Sequence, residues 1–152
     1  MEEWIRQSNL IEDVDEEEED IRSLAAWNWV KDRPLTVSNI LRLHKRIMWK
    51  KLGADAGCFR TCRVWVGERE GAPWAHVPEL VAQWVRVNGL RPHKQEEIEI
   101  NLAHVEFERI HPFVDGNGRT GRIILNWQRR KAGYEPLCIR AVDRHMYYMW
   151  FR

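Results

Sequence analysis

Apolar positions along the chain recur mostly at helical spacing. In residues 36–51, Ile40, Leu43, Ile47 and Met48 fall at i, i+3, i+7 and i+8, the stripe of a helix with one buried face. Ile21, Leu24, Ala25, Trp27 and Trp29 predict a helix over 21–30, which Pro34 closes. Leu80, Val81, Trp84 and Val85 share a face over 78–87, and Asn88-Gly89 ends that segment. A further helix is predicted over 95–110, with Ile98, Leu102, Val105 and either Phe107 or Ile110 turned inward. Another runs from about Arg119 to Lys131 with Gly133 as its stop, and a last one starts at Asp143. Ser8 to Glu12 reads as a helix opening with Ser8 as its cap.

One stretch changes period. Residues 63–67 read as a short strand, 67–73 as a turn, and Trp74 to Val77 as the return strand of a hairpin. With no repeat, low-complexity segment or linker, the expectation is one domain over residues 1–152. It is an all-α, mainly helical bundle with one small β-hairpin. Chain length allows a real core, and 44% apolar with 31% charged residues fits a globular protein. A net charge of +1 gives no general case for nucleic acid or membrane partners. Residues 15–20 form an unbroken acidic run, read as a solvated face, whereas residues 119–131 carry only positive charges. Cys58, Cys62 and Cys138 form no CxxC pair, and neither a signal peptide nor a membrane-length apolar run is present, so the expected location is the cytoplasm. The nine tryptophans are expected mostly in the core, with Trp65 and Trp74 as exceptions.

Chemistry concentrates in His111-Pro112-Phe113-Val114-Asp115-Gly116-Asn117-Gly118-Arg119-Thr120-Gly121-Arg122. Gly116 and Gly118 permit a tight loop and close approach to a ligand. The loop leads into a helix N-terminus, which attracts anions. Arg119 and Arg122, three apart, are disfavoured at that end unless an anion compensates them. Asp115 offers a hard oxygen for Mg²⁺ shared with substrate phosphates. His111 could accept a proton from an incoming hydroxyl. Together these are the parts of a phosphoryl or nucleotidyl transfer. His104, Glu108 and His111 also share a helix face, but a metal cluster there lacks a fourth ligand. His44, His93 and His145 carry no pattern.

This string resembles the Fic family signature, His-x-Phe-x-Asp/Glu-Gly-Asn-Gly-Arg-x-x-Arg, at every defined position. The resemblance implies a helical domain that transfers AMP from Mg²⁺ and ATP to a Ser, Thr or Tyr hydroxyl of a target protein. It implies His111 as base, Asp115 as Mg²⁺ ligand, and Asn117 with the loop amides of Gly116 and Gly118 around the α-phosphate. Arg119 and Arg122 would then hold the β- and γ-phosphates, with Phe113 anchoring the loop. A phosphorylating branch replaces the second loop glycine by Lys; this chain keeps Gly118. Gly57-x-Phe59-Arg60 followed by Val64-Trp65-Val66-Gly67 is similar to the segment leading into the family's target-binding flap, so Val64, Trp65, Val66, Trp74 and His76 would border the target. Tyr147 falls where relatives place an aromatic against adenine.

Ser8-Asn9-Leu10-Ile11-Glu12-Asp13 is similar to the Ser/Thr-x-x-x-Glu-Gly/Asn inhibitory pattern of the family's self-inhibited members, departing from it at Asp13. That implies an inhibitory helix within residues 1–20, a catalytic core over 21–152, and a Glu12 to Arg122 pair that blocks the γ-phosphate. Homodimers occur in the family. The same parts leave open transfer of phosphate or another nucleotide, removal of AMP, or a silent module that only binds nucleotide or peptide.

Overall fold

A computed structural model describes residues 2–89 and 94–152; His93 lies outside them. The described residues form α1 (Glu3–Ile11), α2 (Glu17–Val30), α3 (Val37–Leu52), β1 (Trp65–Val66), β2 (Arg69–Glu70), α4 (Val77–Asn88), α5 (Glu97–Ile110), α6 (Asn117–Ala132) and α7 (Arg144–Tyr148). The helical bundle with one small hairpin is thus as expected. None of the described helices is long and apolar enough to cross a membrane.

Helix α6 runs through the middle, packed on α5, α3 and α1. Glycines set both its ends: Gly116 (φ 79°) precedes it and Gly133 (φ 82°) follows it, both left-handed. Helix α3 opens on Thr36, whose hydroxyl accepts the Asn39 N–H at 3.1 Å. Its Ile40, Leu43, Ile47 and Met48 are buried as the stripe requires. Trp4, Trp27, Trp84 and Trp127 fill the core, Trp4 edge-on to Trp27 at 5.2 Å, while Trp49, Trp65 and Trp74 stay exposed.

Four expectations are corrected. Helix α1 begins at Glu3, so Ser8 lies inside it, and Glu12 occupies its C-terminal cap. The acidic run is not simply a solvated face. Its residues 17–20 form the first turn of α2, where negative charge suits the helix dipole. Asp20 is buried there, accepting from Asn9 at 2.7 Å and Arg6 at 2.9 Å. The return strand is Arg69–Glu70, because Gly67 at φ 60° turns the chain early. Residues 74–76 form a 3-10 turn after Pro73, which lacks the N–H a ladder needs. On α5, Ile98 and Leu102 face solvent. Its buried face carries Ile100, Ala103, His104, Phe107, Glu108 and Ile110, since α5 is wedged between α4 and α6 and buries polar groups as well.

Candidate active site

The loop between α5 and α6 is held from several directions. His111 ends α5 in the left-handed region (φ 51°), a conformation that costs a non-glycine residue energy. Phe113 is fully buried and stacks on the His44 ring, centroids 3.7 Å apart and 5° from parallel. His44 receives the Gly57 N–H on Nδ1 (2.9 Å), which fixes the tautomer. Its Nε2–H therefore donates to the Asp115 carbonyl (2.8 Å). Burial pushes His44 down to about 4, so the imidazole stays neutral. Sequence pattern gave His44 no role; it braces the loop.

A pH dependence of stability follows. The unfolded chain protonates His44 near its ordinary 6.5, the folded one only near 4. Stability present above pH 6.5 is therefore lost as pH falls toward 4, on the order of 3 kcal/mol. Urea unfolding of parent and His44→Gln between pH 7.5 and 4.5 checks this. The stability gap between them should narrow toward acid, and a constant gap would exclude His44 as the titrating group.

Arg60 is a second brace. Its side chain is buried and, among the described residues, has no carboxylate partner and donates only to backbone carbonyls. Nε reaches His111 (2.6 Å), Nη1 reaches Cys62 (2.8 Å), and Nη2 reaches Ala72 (2.5 Å) and Ile110 (3.2 Å). The Ile110 and His111 carbonyls are left over at the end of α5. One guanidinium thus ties the start of the loop to both ends of the segment carrying the hairpin. Arg60→Ala should destabilise the fold by roughly 3 kcal/mol or more, because several buried carbonyls lose their donor. Thermal unfolding reads this; a drop typical of an exposed substitution would refute it.

Gly116 must lack a side chain, since a Cβ there would lie 2.6 Å from Met48 Sδ. Asp115 accepts from its neighbour Gly116 N–H (2.6 Å) and pairs with Lys51 (2.6 Å), with 41% of its side chain exposed. Burial raises its proton affinity, but these partners outweigh burial and hold the carboxyl below its ordinary range. Asn117 is buried and spends its amide on Phe113, accepting from its N–H (2.9 Å) and donating to its carbonyl (2.8 Å). Its side chain therefore braces the loop in this state rather than facing a phosphate. Arg119 also points elsewhere. It contacts Glu19 (3.2 Å) and Met48 Sδ (2.9 Å) between α2 and α3. The two arginines do not share a ligand-facing side.

Other expected residues converge on a cavity of about 850 Å³, lined by Glu12, Val66, Glu108, His111, Gly118, Arg122 and Tyr147 among others. Arg122 is 3% exposed and held by α1: Nε donates to Ser8 Oγ (2.8 Å), and Nη2 to the Ser8 carbonyl (2.9 Å) and Glu12 Oε1 (2.7 Å). Burial works against its charge, yet Tyr147 and Glu12 outweigh it and raise its proton affinity. Glu12 reaches Arg122 across Gly118, where an added Cβ would meet Glu12 Oε1 at 2.2 Å. Asp13, where the pattern has Gly or Asn, sits at φ 57°. That left-handed turn needs glycine, or Asn or Asp, which tolerate it best among the rest. Tyr147 is buried, bonded to His104 Nε2 (2.7 Å), with Arg122 5.6 Å above its ring.

His111 Nδ1 faces the Glu108 carbonyl at 3.2 Å. A carbonyl only accepts, so Nδ1 carries the proton and Nε2 keeps its lone pair. Burial chiefly lowers His111 below its ordinary value. Across the cavity stands the hairpin: Val66 lines it, whereas Trp65 is exposed beneath the Arg63 guanidinium (4.9 Å) and Trp74 and His76 lie on the turn beyond. Among the described residues no group of three His, Cys, Asp or Glu is arranged to hold a metal.

Comparison with known proteins bears on the family and the fold. A family model described as Fic/DOC matches residues 34–128. A protein adenylyltransferase Fic of Nematostella vectensis is 34% identical over 127 residues, 78% of this chain and 28% of that protein. Its counterpart in Drosophila grimshawi is 32% identical over 136 residues, 81% of this chain and 26% of that one. The chain thus spans about a quarter of the length of these relatives. Among solved structures, a Fic domain containing signaling protein from Bacteroides thetaiotaomicron superposes with a TM-score of 0.78 at 25% identity, covering 97% of this chain and 69% of that one. Fic-1 (aa134–508) from C. elegans gives 0.73 at 27% identity, covering 85% and 40%.

Proposed function

Since the chain belongs to the Fic/DOC family, we propose that it is a protein adenylyltransferase, transferring AMP from ATP to a Ser, Thr or Tyr hydroxyl of a target protein and restrained by its own α1. The observation that carries this reading is the cavity itself. One wall offers an imidazole with a free Nε2, and the other offers Gly118 in the first turn of α6 and the Arg122 guanidinium. A triphosphate lying toward α6 meets the N–H groups of its first turn and a buried cation. The target hydroxyl gives its proton to His111 Nε2 as its oxygen bonds to the α-phosphorus. The bond from that phosphorus to the bridging oxygen breaks, and pyrophosphate leaves.

Asp115 suits Mg²⁺. Its carboxylate is ionised, half-exposed and already paired with a cation, Lys51. One such oxygen plus substrate phosphates is how Mg²⁺ is usually bound. When present, the ion neutralises phosphate charge. The hairpin beside the cavity is the natural seat for the target, held by strand addition. Tyr147 forms part of an aromatic wall suited to a nucleobase.

In this state Arg122 is committed to Ser8 and Glu12, so a γ-phosphate must displace Glu12. Intact-protein mass after incubating Glu12→Gly protein with Mg²⁺ and ATP tests the assignment. Addition of an AMP-sized mass to the protein or an added target supports it. A phosphate-sized addition would move the attack to the γ-phosphorus, and no addition on any target would reduce the site to binding.

A further inference from the structure

We propose that Glu108 is a positioning residue for His111, a buried carboxylate that supports the positive charge the base acquires when it takes the target's proton. The role rests on His111 as base, but the coupling between the two residues is measurable without turnover.

Glu108 is an unusual group to find in a core. Its side chain is 7% exposed, and Oε1 has no hydrogen-bond partner among the described residues. A buried carboxyl without full hydrogen bonding is unfavourable, and an apolar residue would pack there at less cost. The surroundings are nevertheless built around it. Its Oε1 occupies the space where a side chain at position 121 would begin: a Cβ on Gly121 would lie 2.1 Å from it. A long acid on α5 is thus matched by a missing side chain on α6. The other oxygen, Oε2, lies 4.0 Å from His111 Nδ1, on the ring edge that also faces the Glu108 carbonyl. Glu108 therefore approaches the base from the side opposite the lone pair, and it also borders the cavity.

Charges around the pair are few. Arg122 on α6 and Glu12 at the end of α1 face Glu108. Tyr147 on α7 packs beside it, and His104 lies one turn earlier on α5. Arg60, Glu12 and Asp115 act on His111. Burial pushes Glu108 up to about 7, so a small change in pH or in local charge ionises it. Burial pulls His111 the other way, which makes it a weak base on its own. An ionised carboxylate 4 Å from the ring offsets that, because an imidazolium gains from a nearby anion and a neutral imidazole does not. The proton moves from the target hydroxyl to Nε2, and the positive charge it creates on the ring favours the ionised form of Glu108.

The test uses Glu108→Gln, which retains shape and removes charge, in the Glu12→Gly chain. The kcat for AMP transfer should fall about tenfold with KM for ATP within about twofold, and the acid limb of the kcat–pH profile should move down by about half a unit or more. Glu108→Asp should restore part of that displacement. NMR titration of the His111 ring, with no substrate present, should give a lower midpoint in Glu108→Gln than in the parent. Gly121→Ala pushes the carboxyl aside without removing it and should lower the midpoint likewise, which covers a Glu108→Gln protein that fails to fold. Identical titrations in parent and variants would overturn the proposal, as would an unchanged acid limb. A displaced titration without AMP transfer in any variant would leave the coupling standing and remove the assigned chemistry instead.

Discussion

Replacing Glu12 by glycine should raise AMP transfer roughly 10–100-fold at ATP concentrations below saturation, because a charge-assisted hydrogen bond to a buried group contributes on the order of 1.5–3 kcal/mol that the nucleotide must otherwise overcome. The size of the effect follows from exposure. Arg122 is 3% exposed and Glu12 36%, so Glu12 is the partner that leaves. Ser8 would stay on the guanidinium through both its hydroxyl and its carbonyl, keeping Arg122 aimed at the cavity after Glu12 is gone. Glycine also tolerates the end of α1, where Asp13 already adopts the left-handed turn. Radiolabel transfer from ATP to the protein or a target measures the change. Equal rates for parent and Glu12→Gly would mean that the pair does not restrain the enzyme.

The second large effect has the opposite sign. His111→Ala in the Glu12→Gly chain should lower transfer by roughly 10²–10⁴-fold, the usual contribution of a general base. ATP affinity should hold, because His111 touches no phosphate-binding group; its Nδ1 faces the Glu108 carbonyl. Calorimetry with ATP and a transfer assay on the same preparation separate the two. Loss of binding together with loss of rate would make His111 a structural residue of the loop. That structural role would lie in its left-handed backbone, which sets the entry to the loop.

What could be read from sequence was chemistry packed into neighbouring residues. The string from His111 to Arg122 announces itself because a base, a carboxylate, two glycines and two arginines fall within one loop and one helical turn. Ser8 and Glu12 are legible only through their likeness to the family's inhibitory pattern, and both meet Arg122. Spacing could not tell which arginine faces the cavity. Arg119 and Arg122 look equivalent at i and i+3, yet Arg119 is drawn to Glu19 and Met48 on other helices. Arg60 is legible only as part of a family-like segment, and His44 not at all, because their partners are backbone groups far along the chain, and a carbonyl carries no sequence signature. On α5, hydrophobicity chose Ile98 and Leu102 as inward residues, whereas the fold buried His104 and Glu108. An apolar pattern is blind to buried polar groups. The hairpin's return strand was placed too late for a simpler reason: Gly67 turns the chain at once.

Arg6, Asn9, Asp20 and Ser23 join α1 to α2 through a buried polar network. On the function proposed above, the carboxylate of Glu12, being part of the same chain, is a competitor whose local concentration is set by tether geometry, not by how much protein is present. Dilution cannot weaken it, and a nucleotide overcomes it only by its own concentration and affinity. A control signal would then have another point of leverage: the Asp20 contacts that hold α1 to α2. Loosening them lowers the competitor's effective concentration while leaving every group that handles the nucleotide as it was.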